Sequence, residues 1–224
     1  MLTHFSSHSP LGDVLRKAVE IDRPSGLRLR IASASDRANI IELINLVAGE
    51  RKYLQTDRYC PTPAWEQLLV DGININEGLL LILIENKNEI VGFARLSPDL
   101  DHPLGRRAGN IGIALLPLYR SRGFGATILN RLIDYAIILN YQILTANILE
   151  TNIRSQKLFM RRGFSVTNCR EMFLQFLDIF VNELCYEVDL SRIGRQKQYE
   201  LFNQQKADQS PGTTRKDREP ACQA

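Results

Sequence analysis

The sequence predicts an α/β protein built on one mixed sheet, because runs with strand-like patterns are interspersed with runs of helical period. Residues 27–31 alternate leucine or isoleucine with arginine, which is typical of a half-buried strand. Residues 79–85 and 90–96 form two further strand-like runs joined by a short polar hairpin. An apolar run at 111–116 is followed by helically spaced apolar residues at 128–137. Periodicity alone thus predicts the α/β class.

The other predicted elements are justified by their own patterns. Ser35 and Asp36 can cap a helix whose apolar face includes Ile40 and Ile44. After a Pro-Thr-Pro break, helical spacing resumes at Trp65. The remaining elements are a strand at 143–149, a short helix at 152–162 that ends before Gly163, and closing strands at 172–176 and 184–190.

The length of 224 residues fits one domain of about 160 residues with tails. Pro24-Ser25-Gly26 marks a boundary, so residues 1–26 are predicted to be a flexible N-terminal extension. Residues 27–193 are predicted to form the domain. Residues 194–224 are polar and contain few large apolar groups, which predicts a disordered tail.

Composition excludes several classes of function. The chain is 44% hydrophobic and 24% charged, which is ordinary for a soluble globular protein, and we expect a cytoplasmic location. A net charge of +3 does not indicate a nucleic-acid-binding protein. No apolar run reaches the ~20 residues of a membrane span. Scattered cysteines and histidines argue against a metal site.

The most informative motif is the basic glycine loop Tyr119-Arg120-Ser121-Arg122-Gly123-Phe124-Gly125-Ala126, placed between a strand and a helix. The exposed amides of such a loop, with the helix dipole behind them, favour a phosphate anion. The loop lacks the lysine of a P-loop after Gly125 and the third glycine of a Rossmann fingerprint. Taken alone, the loop is equally consistent with an ordinary strand-to-helix turn.

A second motif follows one helix and one strand later. It is a short amphipathic segment containing Asn152, Ser155, Leu158-Phe159 and Gly163-Phe164. Together the two motifs resemble the GNAT superfamily of acetyl-CoA-dependent N-acetyltransferases, over residues 27–190. The resemblance implies the order β-α-α-β-β-β-α-β-α-β-β, in a mixed, mostly antiparallel sheet of six or seven strands with helices on both faces.

The resemblance also implies a cofactor site in a V-shaped opening between the fourth and fifth strands. Acetyl-CoA would be bound there as a cosubstrate, without a metal. The implied cofactor-binding residues are Ile113, Leu115, Arg120, Arg122, Gly123, Phe124, Gly125, Ala126, Asn152 and Ser155. The loop amides would hold the pyrophosphate, and the Leu115 amide would polarise the thioester carbonyl.

A subgroup resemblance bears on the acceptor. Segments 50–54, 169–171 and 180–184 are similar to enzymes that acetylate amino acids, related antimetabolites or polyamines. This implies a small-molecule amine acceptor, with Glu50 and Arg51 as candidate ligands for its ammonium and carboxylate. A charged helix end explains these two residues equally well. Many relatives dimerise, which leaves a homodimer open.

The catalytic residues depart from the family pattern. Phe159 stands where many relatives have a tyrosine that protonates the thiolate, and Asn110 stands where many have an acid. The candidate catalytic groups are then the Leu115 amide, Glu183 and Glu150. Two alternatives stay open: a protein or peptide acceptor, at an N-terminus or a lysine, and an acyl-CoA-binding module without catalysis.

Overall fold

The fold is that of a computed structural model, which describes residues 21–22, 27–60, 73–74, 79–174 and 177–192. The helix predicted from Trp65 and the predicted C-terminal tail lie outside these residues, as does most of the predicted N-terminal extension. The described elements are β1 (Ile21–Asp22), β2 (Leu27–Ile31), α1 (Arg37–Ala48), β3 (Ile73–Asn74), β4 (Leu79–Asn86), β5 (Glu89–Pro98), β6 (Ala108–Leu115), α2 (Phe124–Ile138), β7 (Ile143–Leu149), α3 (Ile153–Met160), β8 (Ser165–Leu174) and β9 (Ile179–Asp189).

The strands form one sheet in the order β1-β2-β4-β5-β6-β7-β9-β8, with β3 also pairing with β4. The β6–β7 pair is parallel, and the other described pairs are antiparallel. This confirms the predicted mixed, mostly antiparallel α/β fold. The described sheet has nine strands rather than six or seven, because β1 and β3, each only two residues long, are additional strands.

The helices pack on the sheet through the apolar faces that the sequence predicts. Ile40 and Ile44 of α1 are buried against Leu81 and Leu83 of β4. α2 contacts β5 and β6 and buries side chains at helical spacing. These are Ile128, Leu129, Leu132, Ile133, Tyr135 and Ala136. The predicted β4–β5 hairpin is also present, with Lys87 and Asn88 at the positive φ angles that its tight turn requires.

The last two strands are longer than predicted. β8 begins at Ser165 rather than at residue 172, and β9 begins at Ile179 rather than at residue 184. Residues 165–171 are exposed along the edge strand β8, so they lack the apolar alternation that identifies a half-buried strand.

The entry to α1 is stabilised by a buried carboxylate. Asp36 accepts hydrogen bonds from the Ser33 backbone at 2.8 Å and from two Arg30 nitrogens at 2.7 Å each. The hydrogen bonds from Arg30, above all, lower the pKa of Asp36 from 3.8 to about 2. Arg30 also donates to Glu85 at 2.6 Å, which ties the helix entry to β4.

We predict that Asp36→Asn lowers the free energy of unfolding by about 1.5–3 kcal/mol, because charge-assisted hydrogen bonds are lost. A carboxyl whose pKa is depressed on folding stabilises the protein above its unfolded pKa. That contribution is lost as the pH falls through the folded pKa. In urea titrations the difference between wild type and variant should therefore shrink from pH 4 towards pH 2. An unchanged difference over this range would contradict the assignment.

Candidate active site

The candidate active site is a cleft that opens where two parallel strands separate. β6 and β7 pair only over residues 108–110 and 143–145. Beyond that point β6 continues to Leu115 and β7 to Leu149 without pairing with each other. The cleft has a volume of about 880 Å³. It lies between the fourth and fifth strands of the predicted order.

The backbone of β6 directs polar groups into this cleft. At the end of the β5–β6 ladder the Leu116 N–H donates to the Val91 carbonyl at 2.9 Å. Hydrogen-bonded and non-hydrogen-bonded pairs alternate along an antiparallel ladder. The N–H and C=O groups of Ile111, Ile113 and Leu115 therefore point away from β5, towards β7. Ile113 and Leu115, two of the predicted cofactor-binding residues, both line the cleft.

The glycine loop forms the turn from the end of β6 into α2. Gly123 has a φ of 84°, a left-handed conformation that glycine adopts without steric cost, and it directly precedes α2. The first N–H groups of a helix have no acceptor within the helix, and the dipole adds positive potential. The amides of Ala126 and Thr127 donate to the Gly123 carbonyl at 3.1 and 3.2 Å. The amides of residues 123–125 are therefore better placed than that of Ala126 to bind an anion.

Apart from Arg120, the loop presents small residues rather than large side chains to the cleft. Four of its small residues line the cleft: Ser121, Gly123, Gly125 and Ala126. Arg122 and Phe124, which were also predicted to bind cofactor, are outside this lining. A Cβ on Gly125 would lie 3.2 Å from Leu158 Cδ2, so this glycine permits the close approach of α2 and α3.

The cleft wall beside this loop is basic. The lining residues from α3 and its C-terminal end include Arg154, Lys157, Arg161 and Arg162. The first three are separated by three and four residues, which places them on one helix face. Positive side chains beside a helix N-terminus raise the local concentration of anions. This wall therefore suits a ligand with phosphate groups.

Asn152 shapes the other wall of the cleft. It is the N-cap residue of α3, and its side-chain oxygen accepts the Ser155 N–H at 3.2 Å. Both residues line the cleft, as the predicted cofactor-binding role requires. The side chain of Gln156 donates to the Glu150 carbonyl at 2.7 Å, which fixes the junction between β7 and α3.

We predict that Asn152→Ala raises the KM for acetyl-CoA and lowers the free energy of unfolding by about 1 kcal/mol, because the helix cap is lost. Asn152→Asp retains a capping oxygen but adds a negative charge near the cofactor. This variant should keep the wild-type free energy of unfolding and should still weaken the binding of acetyl-CoA. Steady-state kinetics and thermal unfolding of both variants separate the two roles. A change confined to the KM of the acceptor would contradict the assignment.

Arg120 connects three parts of the site. Its two terminal nitrogens donate to the two carboxylate oxygens of Glu50 at 2.7 and 2.5 Å. Its Nε donates to the Leu115 carbonyl at 2.7 Å. Its guanidinium lies over the Tyr53 ring, 4.7 Å from the ring centre. Arg120 thus joins the end of β6 to the segment after α1, through a bidentate pair of defined geometry.

These contacts revise the expected roles of Glu50 and Arg51. Both oxygens of Glu50 accept hydrogen bonds from Arg120, and neither Glu50 nor Arg51 is among the described residues that line the cleft. Arg51 is exposed and donates to Asp57 at 3.2 Å. This geometry does not support direct binding of an acceptor by these two residues.

A polar network crosses the sheet at the floor of the cleft. Arg95 donates to Asn110 at 2.6 Å, and Asn110 donates to the Thr145 hydroxyl at 3.1 Å. Thr145 in turn donates to Asp99 at 2.6 Å. Burial lowers the pKa of the Arg95 guanidinium. Asn110 therefore acts as a neutral link between β5 and β7, where the family pattern would place an acid.

Glu183 lies at the far side of the same floor, 3% exposed on β9. It lines the cleft together with Arg170 and Gln55. Arg170 donates to one of its oxygens through Nε and Nη2, at 2.5 Å each, and Gln55 donates to the other. The predicted catalytic carboxylate is therefore in the cleft and is oriented by two partners.

Glu150, the other candidate carboxylate, has a structural position instead. It accepts hydrogen bonds from the backbone and side chain of Asn182, both at 2.9 Å. These bonds, led by the one from the backbone, lower its pKa. It is not among the described lining residues. We therefore do not retain Glu150 as a catalytic candidate.

Phe159, where the sequence departs from the family pattern, is part of the core. Its ring is 3% exposed, lines the cleft, and meets Phe164 edge to face at 5.0 Å. Tyr119, the first residue of the glycine loop, is not among the described lining residues. Tyr53 and Tyr59 do line the cleft.

Sequence reasoning missed the floor residue Arg95, and it included Arg170 only as a member of the segment 169–171, without a role of its own. One signal was available for Arg95, because Phe93 and Arg95 share one face of β5 and Phe93 packs on the core under α1. A charged residue at an inward-facing position of a strand often indicates a functional site. Apart from that segment, Arg170 gave no signal of this kind, because it lies on an exposed edge strand.

A comparison with protein families finds a match over the part of the chain that contains the glycine loop and Asn152. Residues 46–164 match the acetyltransferase (GNAT) family. The chain belongs to this family. The match spans more than half of the acetyltransferase and includes both the glycine loop and the Asn152 segment. None of the curated proteins matches its sequence.

Solved structures share the fold of this acetyltransferase at low sequence identity. The protein yncA from Salmonella typhimurium, solved with its cofactor acetyl-CoA, is 21% identical, with a TM-score of 0.63 over 74% of this chain and 94% of that chain. A phosphinothricin acetyltransferase from Sinorhizobium meliloti, in complex with acetyl-CoA, is 19% identical, with a TM-score of 0.63 over 73% and 88%. A ribosomal-protein-alanine N-acetyltransferase from Brucella melitensis is 19% identical, with a TM-score of 0.63 over 72% and 98%.

The described ranges contain no helix with the length and hydropathy needed to cross a membrane. In the same part of the chain, no group of three or more histidine, cysteine, aspartate or glutamate side chains could hold a metal ion.

Proposed function

We propose that this GNAT family member transfers the acetyl group of acetyl-CoA to the primary amine of a small molecule. The observation that supports this most strongly is the continuity of the cleft. The unpaired edge of β6 leads to the amides at the start of α2. An unpaired strand edge can pair with an extended, amide-bearing ligand such as the arm of acetyl-CoA. A helix start suits its pyrophosphate.

The residues present fit this cosubstrate. The amides of residues 123–125 would bind the pyrophosphate, and the backbone of Ile113 would pair with the amide groups of the arm. Asn152 and Ser155 would contact the arm from the opposite wall. The arginines and lysine of α3 would interact with the phosphates.

In the proposed reaction, the lone pair of a neutral amine attacks the carbonyl carbon of the thioester. A C–N bond forms, the C–S bond breaks, and CoA leaves as a thiolate. The N–H of Leu115 points into the cleft, where it would donate to the carbonyl oxygen as negative charge develops. The ammonium proton passes to a base, and the thiolate takes up a proton.

Two groups are proposed for the proton transfers. Glu183 is the one carboxylate among the described lining residues, so it would receive the ammonium proton, directly or through water. Phe159 cannot protonate the thiolate. The hydroxyl of Tyr53, or a water molecule, would do so instead.

The acceptor side of the cleft favours a small molecule. Residues 53–56 and Tyr59 line the cleft together with the sheet residues Arg95 and Glu183. A segment that covers the floor in this way restricts access for a folded protein. The likeness to a ribosomal-protein-alanine N-acetyltransferase makes a peptide N-terminus the second candidate acceptor.

The test is release of free thiol from acetyl-CoA with amino acids, polyamines and peptides as acceptors. We expect thiol release with small amines and identification of the N-acetyl product by mass spectrometry. Release only with peptides would replace the proposed acceptor class. Acetyl-CoA binding without release on any amine would support a module that lacks catalysis.

A further inference from the structure

Gln55 contacts the proposed base from a segment outside the sheet. It lies in residues 50–59, an irregular segment that follows α1. Its side-chain Nε2 donates to Oε1 of Glu183, and both residues line the cleft. The contact therefore joins this segment to the floor of the cleft, at the carboxylate proposed to take the ammonium proton.

We propose that Gln55 is a positioning residue for acetyl transfer, which holds Glu183 in the orientation in which it accepts the ammonium proton. This inference rests on the proposed function and adds a residue that acts through the base rather than on the substrate. A neutral amide suits this role. It donates to a carboxylate oxygen without a further positive charge, which would make that oxygen harder to protonate.

The hydrogen bonds of Glu183 show which of its oxygens can take the proton. An ionised carboxylate offers about four acceptor positions, about two on each oxygen. Arg170 donates twice to Oε2, through Nε and Nη2 at 2.5 Å each. Gln55 donates once to Oε1. These contacts leave Oε1 with a position for the ammonium proton, and Gln55 orients that same oxygen.

The burial of Glu183 makes it dependent on this contact. Glu183 is only 3% exposed, whereas Gln55 is an exposed residue of its segment. A buried carboxylate relies on protein donors, because water cannot readily replace a donor that is lost. The exposed position of Gln55 also means that its side chain can be replaced without disturbing the core. Effects on catalysis and on folding can therefore be separated at this position.

The contact also joins the two sides of the cleft. Arg120 ties Glu50, at the start of the segment, to the Leu115 carbonyl at the end of β6. Glu183 lies on the other side, in β9, which pairs with β7. Because β6 and β7 separate at the cleft, Gln55 connects a segment held by one strand to a carboxylate held beside the other. The base is thereby kept in a fixed relation to the proposed oxyanion donor.

The neighbours of Gln55 hold its backbone in place. Leu54 packs against two buried clusters that contain residues of α1. The Tyr59 N–H donates to the Asn45 side chain of α1 at 2.7 Å. A side chain on an anchored backbone loses less conformational freedom when it forms a hydrogen bond. Gln55 therefore reaches Glu183 from a defined position.

The first test removes the donor and keeps the approximate size of the side chain. Gln55→Met should lower kcat by about 10-fold or more, because a hydrogen bond to a charged group is lost from the base. The Kd of acetyl-CoA and the midpoint of thermal unfolding should remain those of the wild type. The matched control is Arg58→Gln, at an exposed position of the same segment outside the described lining, and it should retain kcat. Wild-type kcat in Gln55→Met, or an equal loss in the control, would overturn the inference.

The second test determines whether Gln55 acts through Glu183. The value of kcat is measured for Gln55→Met, for Glu183→Gln and for the double variant. We expect Glu183→Gln to lower kcat by about 100-fold or more. In that background Gln55→Met should have little further effect, because the two residues act as one unit. The same loss from Gln55→Met in both backgrounds would show that Gln55 acts elsewhere and would overturn the inference.

These variants also separate the inference from the proposed function on which it rests. If the wild-type protein releases no thiol with any amine, acetyl transfer is wrong and the role of Gln55 falls with it. If Glu183→Gln keeps wild-type kcat, acetyl transfer stands, but the base and the role of Gln55 are both overturned. A loss in Glu183→Gln without a loss in Gln55→Met overturns the role of Gln55 alone.

Discussion

Gly123→Asp should weaken acetyl-CoA binding by at least 100-fold. The substitution places a carboxylate beside the amides proposed to hold the pyrophosphate. Two like charges about 5 Å apart repel each other by about 3 kcal/mol at an effective dielectric constant of about 20. This free energy corresponds to roughly 100-fold in the dissociation constant. Calorimetric titration of the variant with acetyl-CoA measures the effect directly.

Gly123→Asn is the matched control for this variant. Asparagine and aspartate have the same shape, and both tolerate the left-handed backbone better than most residues. A Cβ at Gly123 meets no described atom within 4 Å, so neither side chain should clash. The asparagine variant should therefore weaken binding much less than the aspartate variant. Equal effects would mean that backbone strain dominates, and wild-type affinity in both would refute the loop assignment.

Glu50→Gln should lower kcat/KM by about 10-fold to 100-fold, although Glu50 does not line the cleft in the described residues. The substitution removes the negative charge from the bidentate pair with Arg120. The side chain of Glu50 is only 27% exposed and that of Arg120 only 13%. Breaking a partly buried, hydrogen-bonded ion pair leaves the remaining charge poorly compensated. Arg120 then no longer fixes the Leu115 carbonyl or stacks on Tyr53 in one geometry. Both the proposed oxyanion donor and the acceptor segment should lose their alignment.

Three measurements distinguish a positioning role of the Glu50–Arg120 pair from a general loss of stability. Arg120→Lys keeps the positive charge but should lower kcat/KM as well, because lysine cannot form the bidentate pair. A double-mutant cycle of Glu50→Gln and Arg120→Lys should show a coupling energy of about 1 kcal/mol or more in kcat/KM. Arg58→Gln, an exposed arginine in the same segment, serves as the control. Additive effects in the cycle, or an equal loss in the control, would contradict the positioning role.

Features that depend on local sequence were predictable. The hairpin between β4 and β5, the apolar face of α1 and the strand–loop–helix around Gly123 each depend on contiguous residues. Their patterns follow directly from the period of a strand or helix and from the conformational freedom of glycine. The family resemblance added the order of the strands and hence the position of the cleft.

Features that depend on distant pairs were not predictable from one sequence. Arg120 pairs with Glu50 across 70 positions, and Gln55 reaches Glu183 across 128. A charged residue has the same local signature whether it binds a substrate, forms an ion pair or is solvated. Glu50 and Glu150 illustrate this: both were candidates for the site, and their oxygens accept hydrogen bonds from Arg120 and Asn182 instead. The folded sheet decides between these roles.

The most direct test of the central claim is calorimetric titration of the wild-type protein with acetyl-CoA. The account predicts saturable binding at one site per chain, competed by CoA and lost in Gly123→Asp but largely retained in Gly123→Asn. The absence of saturable binding by the folded wild-type protein would contradict the assignment of the cleft between β6 and β7 as the acetyl-CoA site.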